Sequence, residues 1–428
     1  MSGRRTALRI ALLLAALALG LAALVWRLNH LDEAPASTEG TAPPTPALLE
    51  RGAYLARVGN CAGCHTARGG PPYAGGRAIA TPFGAVFAPN LTPDAATGLG
   101  GWSRADFWAA LHNGRGRDGR LLSPAFPYPN YALLSRADAD ALFAYLQSLT
   151  PVAQPNLPSQ LRFPYNTQLS LAVWRALYFR PAVFEPDARR GAEWNRGAYL
   201  SQGLAHCSAC HATRNGLGAG GTADFSGGLL AGSGWLAPSL HDPAEAGVMD
   251  WSPAALRQWL AHGSNAALAS AQGPMAEVIL GSTRHLNEAD LAAMAQYLQA
   301  LPRRPVERPE PAEPQPLLRE LGRRLYGEHC AACHGQQGEG VAGAYPPLAG
   351  SRVVTMASPG NLLLIIQRGG FAPATAGHPR PFGMPPFAGV LDDRQLAALA
   401  SYLRNSWGHQ AGDVRLLDVV QLKSRRID

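Results

Sequence analysis

The chain has 428 residues, which at about 100–200 residues per domain predicts two to four domains. Hydrophobic residues make up 47% of it and charged residues 16%, a balance that suits a globular protein and excludes an intrinsically disordered one. The formal net charge is +7, but the basic residues are scattered and form no nucleic-acid-binding motif. We therefore expect no nucleic acid partner.

The N-terminal residues 1–30 predict a membrane-spanning helix. Arg4 and Arg5 precede an uncharged run, Ile10 to Trp26, which at about 1.5 Å per residue nearly crosses a bilayer core. The positive start predicts that the N-terminus stays in the cytoplasm and that the body lies on the periplasmic side of the inner membrane. A cleaved signal peptide is the alternative, although the A-x-A-like site at Ala34–Ala36 lies well beyond the run.

The rest of the chain repeats one pattern three times. Residues 51–55 and 196–200 share the sequence Arg-Gly-Ala-Tyr-Leu, and residues 322–326 open a third unit with Gly-Arg-Arg-Leu-Tyr. Each opening leads to a C-x-x-C-H motif and, later, to a closing segment with helical period. The residues predicted to cap the closing helices are Ser135, Asn287 and Asp392. We predict an all-α chain with three tandem domains, at residues 47–150, 189–302 and 317–410.

Linkers separate these domains. Residues 31–46 are rich in Pro, Ala, Thr and Ser and predict a flexible linker, whereas residues 303–316 alternate Pro with charges and predict a stiff spacer. Residues 151–188 contain an apolar helical stretch, Leu169 to Phe179, that could pack on a neighbouring domain, dock a partner or lie on a membrane surface. The C-terminal tail, residues 411–428, carries no motif.

The three C-x-x-C-H motifs are typical of covalent attachment of c-type haem. Two cysteines three residues apart lie on one side of a helical turn, where their sulfurs can bond the two vinyl groups of one porphyrin, and the histidine can bind the iron. A thioredoxin-like pair would not explain a histidine at the same place three times, and a zinc site lacks a fourth ligand at regular spacing. The residues are Cys61, Cys64 and His65, then Cys207, Cys210 and His211, then Cys330, Cys333 and His334.

The sixth iron ligand is expected in a loop between the middle and closing helices of each unit. Met275 and Met384 follow middle helices that are predicted to end at Gly263 and Gly369, and a methionine opposite a histidine raises the reduction potential of haem iron. The first unit contains no methionine, and Phe126 stands at the expected position.

His112 is the other histidine of the first unit. We interpret it as a surface or propionate-side residue of a middle helix that ends near Gly114, with ligation of the first iron as the alternative.

These residues resemble those of the tri-haem cytochrome c subunits of membrane-bound periplasmic dehydrogenases, which serve alcohol, gluconate, sorbitol and aldehyde dehydrogenases and some molybdenum hydroxylases. The resemblance covers the whole chain beyond the anchor. It is carried by the segments Arg51-Gly52-Ala53-Tyr54-Leu55, Thr81-Pro82-Phe83-Gly84, Asn90-Leu91-Thr92-Pro93-Asp94, Gly98-Leu99-Gly100-Gly101-Trp102-Ser103, Gly273-Pro274-Met275-Ala276-Glu277-Val278, Met384-Pro385 and Ser406-Trp407-Gly408.

The resemblance implies three class I-like cytochrome c domains with three covalent haems, held by the cysteine pairs, with His65, His211 and His334 as axial ligands and Met275 and Met384 opposite two of them. It implies transfer of electrons from a dehydrogenase catalytic subunit of flavin, PQQ or molybdenum type to quinone or an oxidase. The departure at Phe126 leaves the first iron's sixth ligand open.

Because the sequence shows no flavin, pterin or dinucleotide motif, we expect the chain to be no enzyme by itself. Two alternatives remain: an electron-transfer subunit of a terminal oxidase or nitrogen-oxide reductase, and a peroxidase-like activity at an open first haem.

Overall fold

The computed structural model describes residues 2–30, 43–265, 270–306, 315–377 and 379–424. The linkers expected at residues 31–46 and 303–316 therefore fall largely outside the described residues. Helix α1 covers Ser2–His30. Within the described chain, its segment Arg4–His30 is long and apolar enough to cross a membrane, and none of its most apolar part is covered by the rest of the molecule. An N-terminal signal sequence has the same properties.

The first unit is a set of helices around one small sheet. Its helices are α2 (Pro46–Val58), α3 (Cys61–His65), α4 (Arg104–Asn113), α5 (Tyr128–Tyr131) and α6 (Arg136–Gln147). Strands β1 (Ala78–Thr81) and β2 (Gly84–Phe87) pair antiparallel, and β3 (Gln160–Leu161) adds to β2. The predicted linker helix follows as α7 (Gln168–Tyr178).

The second unit repeats this order with shorter strands. Its helices are α8 (Ala192–Ala198), continued by a π-helical turn (Tyr199–Leu204), α9 (Ser208–His211), α10 (Pro253–His262), α11 (Pro274–Gly281), a 3₁₀ turn (Thr283–His285) and α12 (Glu288–Gln299). Strands β4 (Gly228–Leu229) and β5 (Leu236–Ala237) form an antiparallel pair.

The third unit ends in a helix that the sequence analysis did not predict. Its helices are α13 (Pro316–His329), α14 (Ala331–His334), α15 (Arg352–Thr355), α16 (Gly360–Arg368), α17 (Asp393–Arg404) and α18 (Leu416–Ser424). Strands β6 (Gly370–Phe371) and β7 (Gly383–Met384) pair antiparallel. Helix α18 lies in the tail for which no motif was found, and it buries Val419 and Leu422 in the core of this unit.

Helix ends follow the local sequence. The closing helices α6, α12 and α17 begin at the predicted caps, whose side chains accept a backbone N–H of the first turn. The middle helices α4, α10 and α16 end at Gly114, Gly263 and Gly369, whose φ angles of 57°, 70° and 58° lie in the left-handed region. The predicted ends of both sets of helices are confirmed.

The opening and closing helices of each unit cross at a glycine. The pairs in contact are α2 with α6, α8 with α12, and α13 with α17. A Cβ atom on the glycine would lie within 2.1 Å of a backbone carbonyl oxygen of the closing helix; the residue pairs are Gly52 with Ala141, Gly197 with Ala293, and Gly322 with Ala398. Superposing the units on these glycine contacts defines which residues correspond to one another.

The first two units share one hydrophobic core. Buried residues of α2 and α6, such as Leu55 and Leu142, belong to the same cluster as Leu200 and Leu298 of the second unit. The third unit has a core of its own, built from α13, α16, α17 and α18.

A pair of buried carboxylates ties the first two units together reciprocally. Asp138 in α6 accepts a hydrogen bond from Arg51 of its own unit at 2.8 Å and one from the Tyr199 hydroxyl of the second unit at 2.6 Å. Asp290 in α12 accepts from Arg196 of its own unit at 2.8 Å and from the hydroxyl of a tyrosine in the first unit's α2.

That tyrosine is Tyr54, whose hydroxyl lies 2.6 Å from Asp290. The two repeated Arg-Gly-Ala-Tyr-Leu sequences therefore supply an arginine to their own carboxylate and a tyrosine to the other. In the register set by the crossing glycines, the third unit has Leu321, Arg324 and Gln395 at these positions, so it cannot form the same exchange.

The chain is largely helical, in line with the expected fold class, but its units also contain strands that the sequence did not reveal. Short antiparallel strand pairs occur in all three units. In the first two units the pair lies between the motif and the middle helix, and in the third unit it lies between the middle and closing helices. Sequences of two to four residues carry too little periodicity to reveal such strands, because pairing depends on the partner segment.

Candidate functional site

Each C-x-x-C-H motif forms a short helical turn close behind the opening helix of its unit. Helix α3 comprises the first motif, and α9 and α14 comprise most of the second and third. None of the six cysteines forms a disulfide. The paired thiols are therefore available for bonds to another group.

Burial sets the chemical state of these thiols. It raises the pKa of Cys61 and of Cys207 to about 12 and that of Cys330 to about 11. Thiols of redox-active pairs and zinc sites are instead favoured by surroundings that lower their pKa and stabilise the thiolate. The surroundings of these three cysteines therefore favour the neutral thiol over the thiolate.

The three motif histidines share one hydrogen bond. The Nδ1 atom of His65 lies 2.8 Å from the carbonyl oxygen of Pro89, and that of His211 lies 2.8 Å from Pro238. The third pair, His334 with Pro346, repeats this contact at 2.9 Å. The sequence analysis missed these prolines.

A signal for them exists in the sequence. A Pro-x-Leu triplet follows each motif, at 24, 27 and 12 residues beyond the histidine; the triplets are Pro89-Asn90-Leu91, Pro238-Ser239-Leu240 and Pro346-Pro347-Leu348. The uneven separation hides this repeat from a search for fixed spacing.

The hydrogen bond decides which ring nitrogen can bind a metal. A carbonyl oxygen only accepts, so Nδ1 of each histidine carries the proton and Nε2 keeps its lone pair. Burial lowers the pKa of His65, His211 and His334 and so favours the neutral imidazole that a metal requires. Such a second-sphere contact also fixes the orientation of the ring.

One cavity of about 720 Å³ joins the second and third motifs. Its walls include all three motif residues of each: Cys207, Cys210, His211, Cys330, Cys333 and His334. Both predicted methionine ligands, Met275 and Met384, line the same cavity. The residues present thus fit two haem groups placed close to each other.

The two methionines stand on ordered elements rather than on a free loop. Helix α11 begins directly after Gly273, whose φ is 55°, and Met275 is its second residue. Met384 lies in β7, paired with Gly370 of β6. Met294 and Met356 also reach the cavity but are buried in the surrounding core.

In the first unit, the structure corrects the interpretation of His112 as a surface residue. His112 is only 6% exposed, its Nδ1 lies 2.9 Å from the carbonyl oxygen of Ala132, and its ring stacks on Trp108 with centroids 4.5 Å apart. The apolar middle helix α4 turns this residue into the protein because its neighbours Trp108 and Leu111 are core residues.

Phe126 packs against Tyr131, which lies near the first cysteine pair. Its ring is 5.3 Å from that of Tyr131, and burial together with the nearby thiols of Cys61 and Cys64 raises the pKa of Tyr131 well above its usual value. The position that carries a methionine in the other units is thus occupied by an aromatic side chain packed beside the motif.

Segments beside the first and second motifs contact each other. Arg77 of the first unit donates to the Gly63 carbonyl inside the first motif at 2.6 Å and to Glu277, two residues after Met275, at 2.8 Å. His206, which directly precedes the second motif, contacts the Gly59 carbonyl at 3.2 Å. The sequence offered no positional role for His206, which depends on this contact between units.

The chain is similar to known proteins over most of its length. The family model for cytochrome c matches residues 49–150, 195–302 and 320–407. The gluconate 2-dehydrogenase cytochrome c subunit of Pantoea cypripedii is 36% identical over 397 residues, which cover 88% of this chain and 90% of the relative. The cytochrome c subunit of the alcohol dehydrogenase (quinone) of Gluconacetobacter polyoxogenes is 35% identical, with 88% and 84% covered.

A longer relative is a nicotinate dehydrogenase subunit of Pseudomonas putida. It is 40% identical over 398 residues, 91% of this chain, but the chain spans only 33% of that protein. The other two relatives are named as cytochrome c subunits of dehydrogenases. The three motifs, the histidines held by proline carbonyls and the family match over three segments agree: this chain belongs to the cytochrome c family.

Proposed function

We propose that the chain is a tri-haem electron-transfer subunit that accepts electrons from a dehydrogenase catalytic subunit and passes them to quinone or a terminal oxidase. It comprises three tandem class I-like cytochrome c domains, at residues 47–150, 189–302 and 317–410. The observation that carries this proposal is the threefold recurrence of one arrangement: a cysteine pair on a helical turn and a histidine whose Nδ1 is bound by a proline carbonyl.

Three covalent haem c groups are proposed, one for each cysteine pair. Haem iron supplies one-electron chemistry, and the protein tunes it through axial ligands and burial. His65, His211 and His334 are the proposed proximal ligands, with Met275 and Met384 opposite the second and third histidines. His112 packs on Trp108 with its Nδ1 at the Ala132 carbonyl, and its ligation of the first iron, which would use Nε2, is the alternative.

The second haem is proposed to lie between the other two. Its cysteines share a cavity with those of the third unit. The second unit also contacts the first unit, since Arg77 donates to Glu277, two residues after Met275, at 2.8 Å. Electrons would therefore cross the molecule through the second unit.

The donor is proposed to be a catalytic subunit of flavin, PQQ or molybdenum type, because relatives of this chain carry the names of gluconate, alcohol and nicotinate dehydrogenase subunits. The chain is proposed to lie on the periplasmic side of the inner membrane, anchored by α1. Removal of residues 1–30 as a signal peptide is the alternative. Asn29 favours retention, since its side-chain oxygen accepts a hydrogen bond from the buried Arg175 at 2.8 Å.

The test is purification of the full chain from native membranes. We expect three haems per polypeptide by haemochrome assay and mass spectrometry, a co-purifying dehydrogenase, and reduction of the haems by that enzyme's substrate. Cys207→Ala combined with Cys210→Ala serves as the control and should lower the count to two. A wild-type count below three in matured protein contradicts the tri-haem proposal, and purification only with an oxidase or nitrogen-oxide reductase contradicts the proposed donor.

A further inference from the structure

Helix α7 has an apolar stripe that no part of the described chain covers. Leu169, Val173 and Leu177 recur every four residues and therefore lie on one face of the helix. They are 72%, 39% and 61% exposed, whereas Arg175 on the other side is buried. An exposed apolar row of this kind marks contact with a membrane or another protein.

The stripe is attached to the end of the proposed anchor. The Asn29 side-chain amide donates to the Ala172 carbonyl of α7 at 3.0 Å, and Arg175 of α7 donates back to the Asn29 side-chain oxygen at 2.8 Å. Arg115 of the first unit donates to the Asn29 backbone carbonyl at 2.9 Å. Because Arg175 is 4% exposed, this joint is an internal part of the fold and holds the end of α1 against α7.

The level of the joint matches the surface of a bilayer. The apolar part of α1 ends at Trp26, which is exposed and stacks on His30 with ring centroids 4.6 Å apart. Tryptophan and basic residues at the end of a spanning helix are typical of the membrane–water interface. Helix α7 contacts α1 at Asn29, within one turn of Trp26, so it lies at the depth where the anchor leaves the lipid.

We propose that α7 lies in the lipid interface, with Leu169, Val173 and Leu177 among the acyl chains, and that the Asn29–Arg175 joint fixes the haem-bearing body to the membrane surface. This inference rests on the proposed anchoring by α1.

Lipid is favoured over a protein partner by continuity and by charge. The stripe adjoins a helix whose own surroundings would be lipid. Residues 151–184 contain no Asp or Glu but do contain the exposed Arg162 and Arg180. Phosphate groups at a bilayer surface attract such a segment, whereas carboxylates would be repelled.

Spin labelling of the full chain tests the position of the stripe. The six natural cysteines are consumed by haem attachment under the proposed function, so Leu169→Cys and Leu177→Cys each provide one reactive thiol for a nitroxide. The labelled proteins are placed in vesicles of phosphatidylethanolamine and phosphatidylglycerol with the haems oxidised, because reductants of haem destroy the nitroxide, and the relaxation caused by the haems is subtracted with a sample that lacks both collision partners. Collision rates with oxygen, which concentrates in lipid, and with a water-soluble nickel chelate are measured by paramagnetic resonance.

Two control positions calibrate the measurement. Leu19→Cys lies in α1 and reports the lipid interior, while Leu317→Cys is 88% exposed in α13 and reports water. We expect a ratio of oxygen to nickel collisions at positions 169 and 177 several-fold above that at position 317 and close to that at position 19. Retention of the full haem absorbance verifies that each variant folds.

Other outcomes overturn the proposal in distinguishable ways. If positions 169 and 177 behave like position 317 while position 19 is shielded, α1 is an anchor but α7 does not lie in lipid. If they become shielded only when the co-purifying dehydrogenase is added, the stripe binds that protein. If position 19 is itself open to the nickel chelate, the anchoring by α1 fails, and the placement of α7 falls with it.

Discussion

At the scale of single residues, the orientation of the three motif histidines depends on backbone atoms rather than on other side chains. The carbonyl oxygens of Pro89, Pro238 and Pro346 accept from Nδ1, so no substitution of a side chain can remove the contact directly. Proline itself has no N–H and holds a narrow φ range, which keeps its segment in place. The metal-binding nitrogen is thereby selected by the path of the main chain.

The proposed methionine ligands give a residue-scale prediction. Met275→Leu and Met384→Leu preserve volume but remove the thioether, and each should lower the reduction potential of one haem by on the order of 0.1 V, a fraction of the roughly 0.8 V over which axial ligands tune haem. Redox titration followed by absorbance is the measurement. Met294→Leu is the matched control, since Met294 lines the same cavity from within the core. An unchanged titration for Met275→Leu or Met384→Leu would show that the substituted methionine is not an iron ligand.

The open sixth ligand of the proposed first haem leads to a second residue-scale prediction. His112→Ala should leave the electronic spectrum of every haem unchanged and lower the free energy of unfolding by about 1–3 kcal/mol, because the buried Ala132 carbonyl loses a partner. Phe126→Met should instead give the first haem a low-spin spectrum like that of the other two. Resonance Raman and paramagnetic resonance of the full chain report both. A change of spin state in His112→Ala would make His112 the ligand.

At the scale of elements, the closeness of the opening and closing helices depends on one glycine in each unit. Gly322→Ala places a Cβ atom 2.1 Å from the Ala398 carbonyl oxygen and forces α13 away from α17. We expect a loss of about 3 kcal/mol in the free energy of unfolding, at the upper end of overpacking effects.

Gly327→Ala in the same helix is the control for this prediction. No atom lies within 4 Å of its would-be Cβ, so the substitution should be neutral or stabilise by up to about 1 kcal/mol through helix propensity. Denaturant unfolding of the haem-containing protein compares the two. Equal effects would show that α13 and α17 can separate without cost.

At the scale of the whole molecule, the first two units behave as one body because each carboxylate of the exchange is shared between them. Burial raises the pKa of Asp290, but hydrogen bonds from Arg196 and Tyr54 outweigh burial and leave this pKa below its usual value. The ionised carboxylate is thus favoured in the folded chain. The stabilisation is present at neutral pH and is lost as the pH falls below about 4, through the folded-state pKa.

Removal of the Tyr54 hydroxyl should lower the stability that the ionised Asp290 contributes. Tyr54→Phe deletes the hydrogen bond from the first unit to Asp290, which should destabilise the joined units by about 1.5–3 kcal/mol at pH 7 and move acid unfolding to higher pH. Denaturant unfolding at pH 7 measures the free energy, and circular dichroism during acid titration measures the acid midpoint. Tyr178→Phe is the control, because Tyr178 is exposed and stands outside this network. An acid midpoint unchanged in Tyr54→Phe would show that the exchange does not couple the units.

The sequence by itself determined the chemistry and the repeat. Three C-x-x-C-H motifs, the caps Ser135, Asn287 and Asp392, and the glycine ends of the middle helices are local features, and local hydrogen bonding within a few residues is enough to specify them. The membership of the cytochrome c family follows from the same features.

Only the tertiary structure decided which of these parts meet. The burial of His112, the exchange between Tyr54 and Asp290, the proline carbonyls behind the histidines and the contact of Asn29 with α7 join residues that are 12 to 236 positions apart. Such contacts depend on how helices cross and which faces they bury, and a single sequence carries no periodic signal for them. Residue types therefore revealed what the chain can hold, while packing decided how the units are joined and where the anchor meets the body.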